Sequence, residues 1–322
     1  MLNLNFYNTA KLSIICAILA ATCFSVNDLS IKYLSDKYPL HEIILFRSLI
    51  GFCLTLFIIV PLEGGIKVLK TKRPLIHLSR GLFLVLANML FFTGLAILPL
   101  AECSAIFFIS PLLITFLSVI ILKEKVGMRR WSALMIGFIG VLIVIKPGQI
   151  SFQWASLLPV SAAFCYAMLH ISTRYLGLSE KASTLSFYIQ VSFILVSSLM
   201  GLAAGDGSFS IFENPSAEFL LGAWQLPSFE DWKIIFIIGI FSSIGGYLIS
   251  QAYRISEAGL IAPFEYFSLI LAVLWGIMFF NEWLSISSAI GVILIISSGV
   301  YVAYREIKVG SPISAKKSSG RR

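Results

Sequence analysis

"CFSVNDLSIKYL" at residues 23–34 and "CYAMLHISTRYL" at residues 165–176 are the two stretches on which the fold turns. Aligned start to start, 165 against 23, they are offset by 142. Cys23 then meets Cys165, Phe24 meets Tyr166, Ser30 meets Ser172, and Lys32-Tyr33-Leu34 meets Arg174-Tyr175-Leu176. A second match, "SPLLITFLSVIILKEKV" at 110–126 with "YFSLILAVLWGIMFFNEWL" at 266–284, sets Glu124 against Glu282, an offset of 158. A long loop near 205–232 in the second half accounts for the drift. The chain therefore reads as a duplication. Both members of the first pair interrupt an apolar run with polar residues, Asn27 and Asp28 in one and His170 at the place of Asp28 in the other.

The solvent of these runs follows from composition. Of 322 residues, 58% are hydrophobic and 12% charged, whereas soluble domains are about a quarter charged. The mean hydropathy is +0.92. Apolar windows of roughly 20 residues recur along the chain, each long enough to cross a bilayer core as a helix. The fold class is thus an all-α polytopic membrane protein. Charge clusters, prolines and turn residues divide it into ten spans: 12–33, 41–62, 75–98, 102–122, 131–146, 154–176, 182–204, 233–253, 259–280 and 284–304. The fifth is short and is expected to borrow residues from the flanking "VGMRR" or "KPG". The first resembles a signal peptide at its start but continues unbroken to Tyr33, too long for a cleaved apolar core.

Ten spans in two related halves give five spans each, and five is odd. The halves, 12–148 and 154–305, must then lie in the membrane with opposite orientations, an arrangement that places substrate near the midplane at the interface of the repeats. The polar "KVGSPISAKKSSGRR" at 308–322 closes a basic tail, 306–322, expected to be disordered and cytoplasmic. With the N-terminus inside, nineteen Lys and Arg fall on the cytoplasmic side, Arg80 among them. Four (Lys32, Lys37, Lys146 and Lys233) fall outside, and Arg47 lies within a span. Positive residues collect on the cytoplasmic side, so both termini are expected in the cytoplasm of a cell whose inner (cytoplasmic) membrane holds the chain.

The chain resembles the ten-helix EamA-type carriers of the drug/metabolite transporter superfamily from about residue 12 to 305. The resemblance rests on "ILPLAECSAIFFISPLLITFLSVIILKEKVGMRRWSALMIGFIGVLIVIKPG" at 97–148 and "SQAYRISEAGLIAPFEYFSLILAVLWGIMFFNEW" at 250–283. Its third and fourth spans carry the family's run in Ala96, Leu98, Pro99, Ala101, Glu102, Ala105, Phe107, Pro111 and Glu124. "SVNDLSIKYL" and "RPLIHLSRGL" look closest to members that take up S-adenosylmethionine, and the "AEC-A-FF-SPLL" run looks like members assigned to riboflavin. The resemblance implies a small organic metabolite as cargo and does not choose between these two.

Ionisable side chains inside spans are costly in lipid and normally face a cavity or a partner, so they are the site candidates. Asp28 and Arg47 sit at matching depths, roughly 8–9 Å below the outer surface at 1.5 Å per residue. Either they pair as part of an outer gate or cargo site, or they form a fixed structural ion pair. His170 and Glu265 share a depth on the inner side. Either they form a proton-binding pair, since His switches near neutral pH, or His170 is satisfied by a neighbouring hydroxyl or carbonyl. Gln190 takes the repeat position of Arg47. Asn27, Asn88 and Gln251 supply amides, and Tyr166 and Tyr266, with Phe24, Phe92, Phe107, Tyr253 and Trp275, supply aromatic walls that suit a heteroaromatic ligand. Glu102 and Glu257 suit helix starts, and Glu124 and Glu282 read as structural or interfacial. Pro111 and Pro263 are expected to kink the fourth and ninth spans. Gly137, Gly140, Gly291, Ser298 and Gly299 are expected to let helices approach closely.

The function expected is secondary transport by alternating access, proton-linked or by exchange. No GxxxxGK[ST] loop is present to power it with ATP. The alternatives are an intramembrane enzyme, for which HExxH and clustered nucleophile sets are lacking, and a non-transporting sensor or assembly factor. No cofactor, metal or nucleic acid is expected. Partners are the small-molecule substrate, membrane lipids and protons as a coupling ion; direction and oligomeric state are not legible.

Overall fold

The structure, a computed structural model, describes residues 2–124, 126–146, 153–208 and 215–309. Among these there is no strand. Nine helices are long and apolar enough to cross a membrane: α1 (Lys11–Leu34), α2 (Leu40–Leu62), α3 (Pro74–Leu95), α4 (Leu100–Ile121), α5 (Met128–Ile145), α6 (Trp154–Leu176), α7 (Ala182–Ala204), α8 (Phe229–Ile255) and α9 (Ala262–Phe280). A tenth, α10 (Ile286–Val309), opens on the shorter apolar run Ile286–Val302. The protein is an all-α polytopic membrane protein. The short fifth span does borrow from "VGMRR", starting at Met128. The helix of α10 runs to Val309, into the segment expected as a disordered tail, and the rest of that tail lies outside the described residues.

Local chemistry sets the ends and the breaks. Pro74 stands at the first turn of α3, where its missing N–H costs nothing. Lys146 and Asn281 end α5 and α9 in the left-handed conformation, with φ of 52° and 53°. Ser228 caps α8 by accepting from the Asp231 backbone N–H at 3.2 Å. Within α4 the helix stops at Phe107 and restarts at Ser110, with Pro111 in the first turn of the second piece. The Pro111 ring would clash with the carbonyl four residues back, that of Phe107. α9 opens as a 3-10 turn, Ala262–Tyr266, around Pro263. Both expected kinks are therefore real breaks.

Packing follows a rule of five. α1 packs on α8 as α6 packs on α3; α2 on α8 as α7 on α3; α1 on α9 as α6 on α4. The contacts of α2 with α7, α4 with α9 and α5 with α10 each pair a helix with the one five places on, while that of α7 on α8 has no counterpart of similar extent between α2 and α3. At the α5–α10 contact the two backbones approach closely. A Cβ on Gly140 would sit 2.7 Å from the Gly291 carbonyl oxygen, and one on Gly291 2.6 Å from that of Gly140. The small residues are what permit this approach.

At the end of the bundle that holds Lys32, residues 224 and 225 bond to the end of α7 and to α2. Trp224 returns its N–H to the Gly205 carbonyl at 3.1 Å, its ring stacks on His41, and Gln225 N–H donates to Glu42 at 3.0 Å. Asp231 collects Lys37 at 3.1 Å and the Tyr38 hydroxyl at 2.9 Å. The hydrogen bond to Asp231 holds the Lys37 ammonium above its ordinary range. At the opposite end, Glu63 accepts from the Ser183 hydroxyl at 2.6 Å and from Tyr247 at 2.7 Å, tying α2 to α7 and α8. Arg80, counted with the cytoplasmic charges from the sequence, is instead buried, 1% exposed, inside α3.

Candidate functional site

A cavity lies between the two halves, lined by residues of both. Eight of the ten candidates line it: Asn27, Asp28, Arg47, Asn88, Tyr166, His170, Gln190 and Glu265. Gln251 and Tyr266 do not. Gln251 faces along its own helix and accepts from Arg254 Nε at 3.1 Å. Tyr266 is buried with its ring 5.1 Å from that of Phe108 and closely against Gly299 of α10, which leaves it space a larger residue would fill.

The polar lining falls into three groups. In the first, α1, α2 and α3 bring together Asn27, Arg47 and Asn88. Arg47 donates one amino group to Asn27 Oδ1 at 2.9 Å and the other to Asn88 Oδ1 at 2.6 Å. Its guanidinium also stands 5.0 Å from the ring centre of Phe193 and 5.9 Å from that of Phe92, within cation–π range. Asp28 accepts from the Asn27 amide at 3.2 Å. The direct Asp28–Arg47 ion pair expected from the sequence is thus replaced by a relay in which Asn27 joins them. Two amide oxygens on flanking helices match the spread of the guanidinium fork, and a single carboxylate on the neighbouring residue points elsewhere.

In the second group α6, α8 and α9 meet. Glu265 accepts one hydrogen bond from the Tyr166 hydroxyl and another from the Tyr253 hydroxyl, one on each carboxylate oxygen. His170 is held by the same two phenols, its ring centre 4.2 Å from Tyr166, edge-on, and 3.9 Å from Tyr253, stacked. Neither nitrogen of His170 has a hydrogen-bond partner. The expected His170–Glu265 pair is not formed. The phenols take both carboxylate oxygens and pack on the imidazole from two sides. Tyr253, in sequence a wall residue, makes its contact with Glu265 where α8 meets the 3-10 turn around Pro263.

The third group centres on a residue that is not among the sequence candidates. Arg80 lines the cavity from α3 and donates through Nε to the Thr173 hydroxyl of α6 at 3.0 Å.

An ion pair joins helix ends toward each end of the bundle, outside the cavity lining. Lys32 meets Glu282 at 2.5 Å, and the second Glu282 oxygen accepts the Leu100 backbone N–H at 2.8 Å. Arg174 meets Glu124 at 3.4 Å at the opposite end. Lys32 aligns with Arg174 and Glu282 with Glu124 in the duplicated sequence, so the two pairs occupy matching places. Glu102 accepts from the Ser288 hydroxyl at 2.5 Å, joining α4 to α10.

This geometry can be set beside known proteins. The EamA-like transporter family matches residues 11–146. That stretch, in the first half of the chain, is thus similar to the EamA-like transporters. Relatives match along both halves. An S-adenosylmethionine uptake transporter of Rickettsia prowazekii is 27% identical over 90% of this chain and 92% of its own length. A riboflavin transporter of Vibrio cholerae is 28% identical over 90% of this chain and 92% of its own length. A transporter of Helicobacter pylori described as uncharacterized is 28% identical over 92% and 96%. A solved crystal structure superposes with a TM-score of 0.67, covering 94% of this chain and 99% of that one at 18% identity. It shows that the fold is one already seen. Family and relatives place the chain among membrane transporters and not among enzymes.

Proposed function

We propose that the protein is a secondary carrier that moves a small heteroaromatic metabolite, of the kind its S-adenosylmethionine and riboflavin relatives are named for, through the central cavity by alternating access. The observation that carries this reading is the cavity itself. Its polar groups come from both halves of the chain, Asn27, Arg47 and Asn88 from the first and Tyr166, His170 and Glu265 from the second. Phenyl rings such as those of Phe92 and Phe193 supply stacking walls, which suits a ligand with a flat ring and a few polar handles.

The exchange of packing partners under a shift of five helices supports two inverted repeats, 12–148 and 154–305, in one chain. In such a pair, rocking one set of helices on the other closes one end as the opposite end opens. The pairs Lys32–Glu282 and Arg174–Glu124 are the gates in this reading. Each ties a helix end of one half to a helix end near the cavity, and each must part for cargo to pass. The distribution of Lys and Arg orients the Lys32 end outward, with both termini cytoplasmic in the inner membrane.

Glu265 is the group we assign to proton coupling. It has two phenol donors and, among the described residues, no cation within ion-pair distance. The test of the whole reading is uptake by the purified protein in liposomes, with and without an imposed pH gradient. A labelled panel that includes S-adenosylmethionine and riboflavin is expected to yield at least one saturable substrate whose accumulation follows the gradient, and Glu265→Gln is expected to remove that dependence. No uptake or binding of any compound would sink the carrier reading; gradient-independent exchange by the unmodified protein would sink the proton.

A further inference from the structure

Arg47 and Arg80 are both buried in the cavity wall, 4% and 1% exposed, yet they differ in what they have left to give. Both terminal amino groups of Arg47 are taken, by Asn27 and Asn88. Arg80 uses only Nε, and neither of its terminal amino groups has a hydrogen-bond partner. No carboxylate lies within 4.0 Å of it among the described residues. Glu180, the nearest acid that acts on it, accepts from the Thr71 hydroxyl at 2.7 Å and stands 3.8 Å from His77.

Thr173 fixes the direction of the fork. Its hydroxyl donates to the Leu169 carbonyl at 2.9 Å, so its lone pair is what receives Arg80 Nε. The two free amino groups are thereby held side by side. His170, one helical turn before Thr173 on α6, adds two ring nitrogens without partners, 2% exposed and also in the cavity wall. A guanidinium taken from water with two donor groups unmatched is a costly arrangement. It is tolerable where a further acceptor arrives, and the fork geometry matches a carboxylate, which accepts two parallel N–H bonds.

We infer that Arg80, oriented by Thr173 and flanked by His170, is the subsite for a carboxylate on the cargo, so that the protein selects small metabolites carrying a free carboxylate over neutral ones of similar size. The inference rests on the carrier reading and narrows it. Of the two cargoes named for its relatives, S-adenosylmethionine carries a carboxylate and riboflavin does not.

The test uses the purified full-length chain and thermal-shift and equilibrium-binding measurements on carboxylated metabolites, each paired with its decarboxylated analogue. S-adenosylmethionine and decarboxylated S-adenosylmethionine form the first pair, and riboflavin is the neutral reference. The expected result is that an acid binds about 100-fold more tightly than its decarboxylated analogue, the loss of two charge-assisted hydrogen bonds. Arg80→Gln is expected to abolish the acid's advantage over its analogue. Arg80→Lys, which keeps the charge and loses the fork, should fall between. Because the ligand pair is compared on the unmodified protein, poor folding of a variant does not rescue the idea. Equal affinity for acid and decarboxylated analogue overturns it. Binding of riboflavin with no acid bound overturns the carboxylate subsite and leaves the carrier reading standing; no binding by any compound takes both down.

Discussion

Glu282→Gln isolates the ionic part of one proposed gate, because a glutamine oxygen still accepts the Leu100 N–H that Glu282 holds at 2.8 Å. What is lost is the charge opposite Lys32, now at 2.5 Å, with the two side chains 12% and 23% exposed. Fully exposed pairs contribute about 0–1 kcal/mol, and breaking fully buried ones costs about 3–5 kcal/mol. This pair lies between, so about 2 kcal/mol of closed-state stability is at stake, a shift of about 30-fold in the closed-to-open ratio. The Arg174–Glu124 pair is longer, 3.4 Å, with side chains 29% and 11% exposed; Glu124→Gln is worth about 1 kcal/mol, or about 5-fold. The assay replaces the five native cysteines with alanine and puts a reporter into the cavity as Ser268→Cys. A membrane-impermeant thiol reagent is then applied outside intact cells. Glu282→Gln is expected to raise the labelling rate by about 30-fold at most, the ceiling set by the open fraction, and Glu124→Gln to lower it. The opposite signs are the point. Labelling that is unchanged in both variants, or that rises in both, would refute the reasoning that these pairs close opposite ends.

Asn88→Ala removes the 2.6 Å acceptor of Arg47 and is expected to cost about 1.5–3 kcal/mol as a hydrogen bond to a charged group, seen as a lowered melting temperature in detergent and weaker ligand binding. Gly140→Leu drives a side chain into the Gly291 carbonyl, 2.7 Å from a built Cβ, and should destabilise the α5–α10 contact by about 1–3 kcal/mol or prevent folding, read by thermal unfolding. For Glu63, outside the spans, burial pushes the carboxyl up, but the hydrogen bonds from Ser183 and Tyr247, with Arg254 nearby, bring it below its ordinary range. A carboxyl lowered on folding adds stability above its unfolded value and loses it as pH falls through the folded one. Melting temperature should therefore drop on acidification below the ordinary glutamate range, and Glu63→Gln should blunt that drop.

The spans were legible because a bilayer core sets a minimum length for an apolar helix, and Pro111 and Pro263 announced the breaks in α4 and α9. The duplication put Lys32 beside Arg174 and Glu124 beside Glu282 in an alignment, but that the acids meet the bases across the bundle needed the packing of α1 on α9 and of α6 on α4. Asp28 and Arg47 share a depth, and depth alone suggested a pair; which side chain reaches the guanidinium depends on helix rotation, and Asn27 is the one turned toward it. Arg80 was lost to counting, since any basic residue near the start of α3 reads as loop charge. Pro74 marks that start, and six residues at 1.5 Å each carry Arg80 about 9 Å inward, a signal that was present in the sequence. The contact between Tyr253 and Glu265 carries no such signal, because it depends on how closely α8 approaches the turn around Pro263.

The most direct measurement of the central claim is the time course of labelled S-adenosylmethionine entering liposomes that contain only this protein. The account predicts saturable accumulation inside the vesicles, competed by unlabelled S-adenosylmethionine and lowered by Asn88→Ala. Entry no faster than into protein-free vesicles, for this and every other metabolite offered, would contradict it.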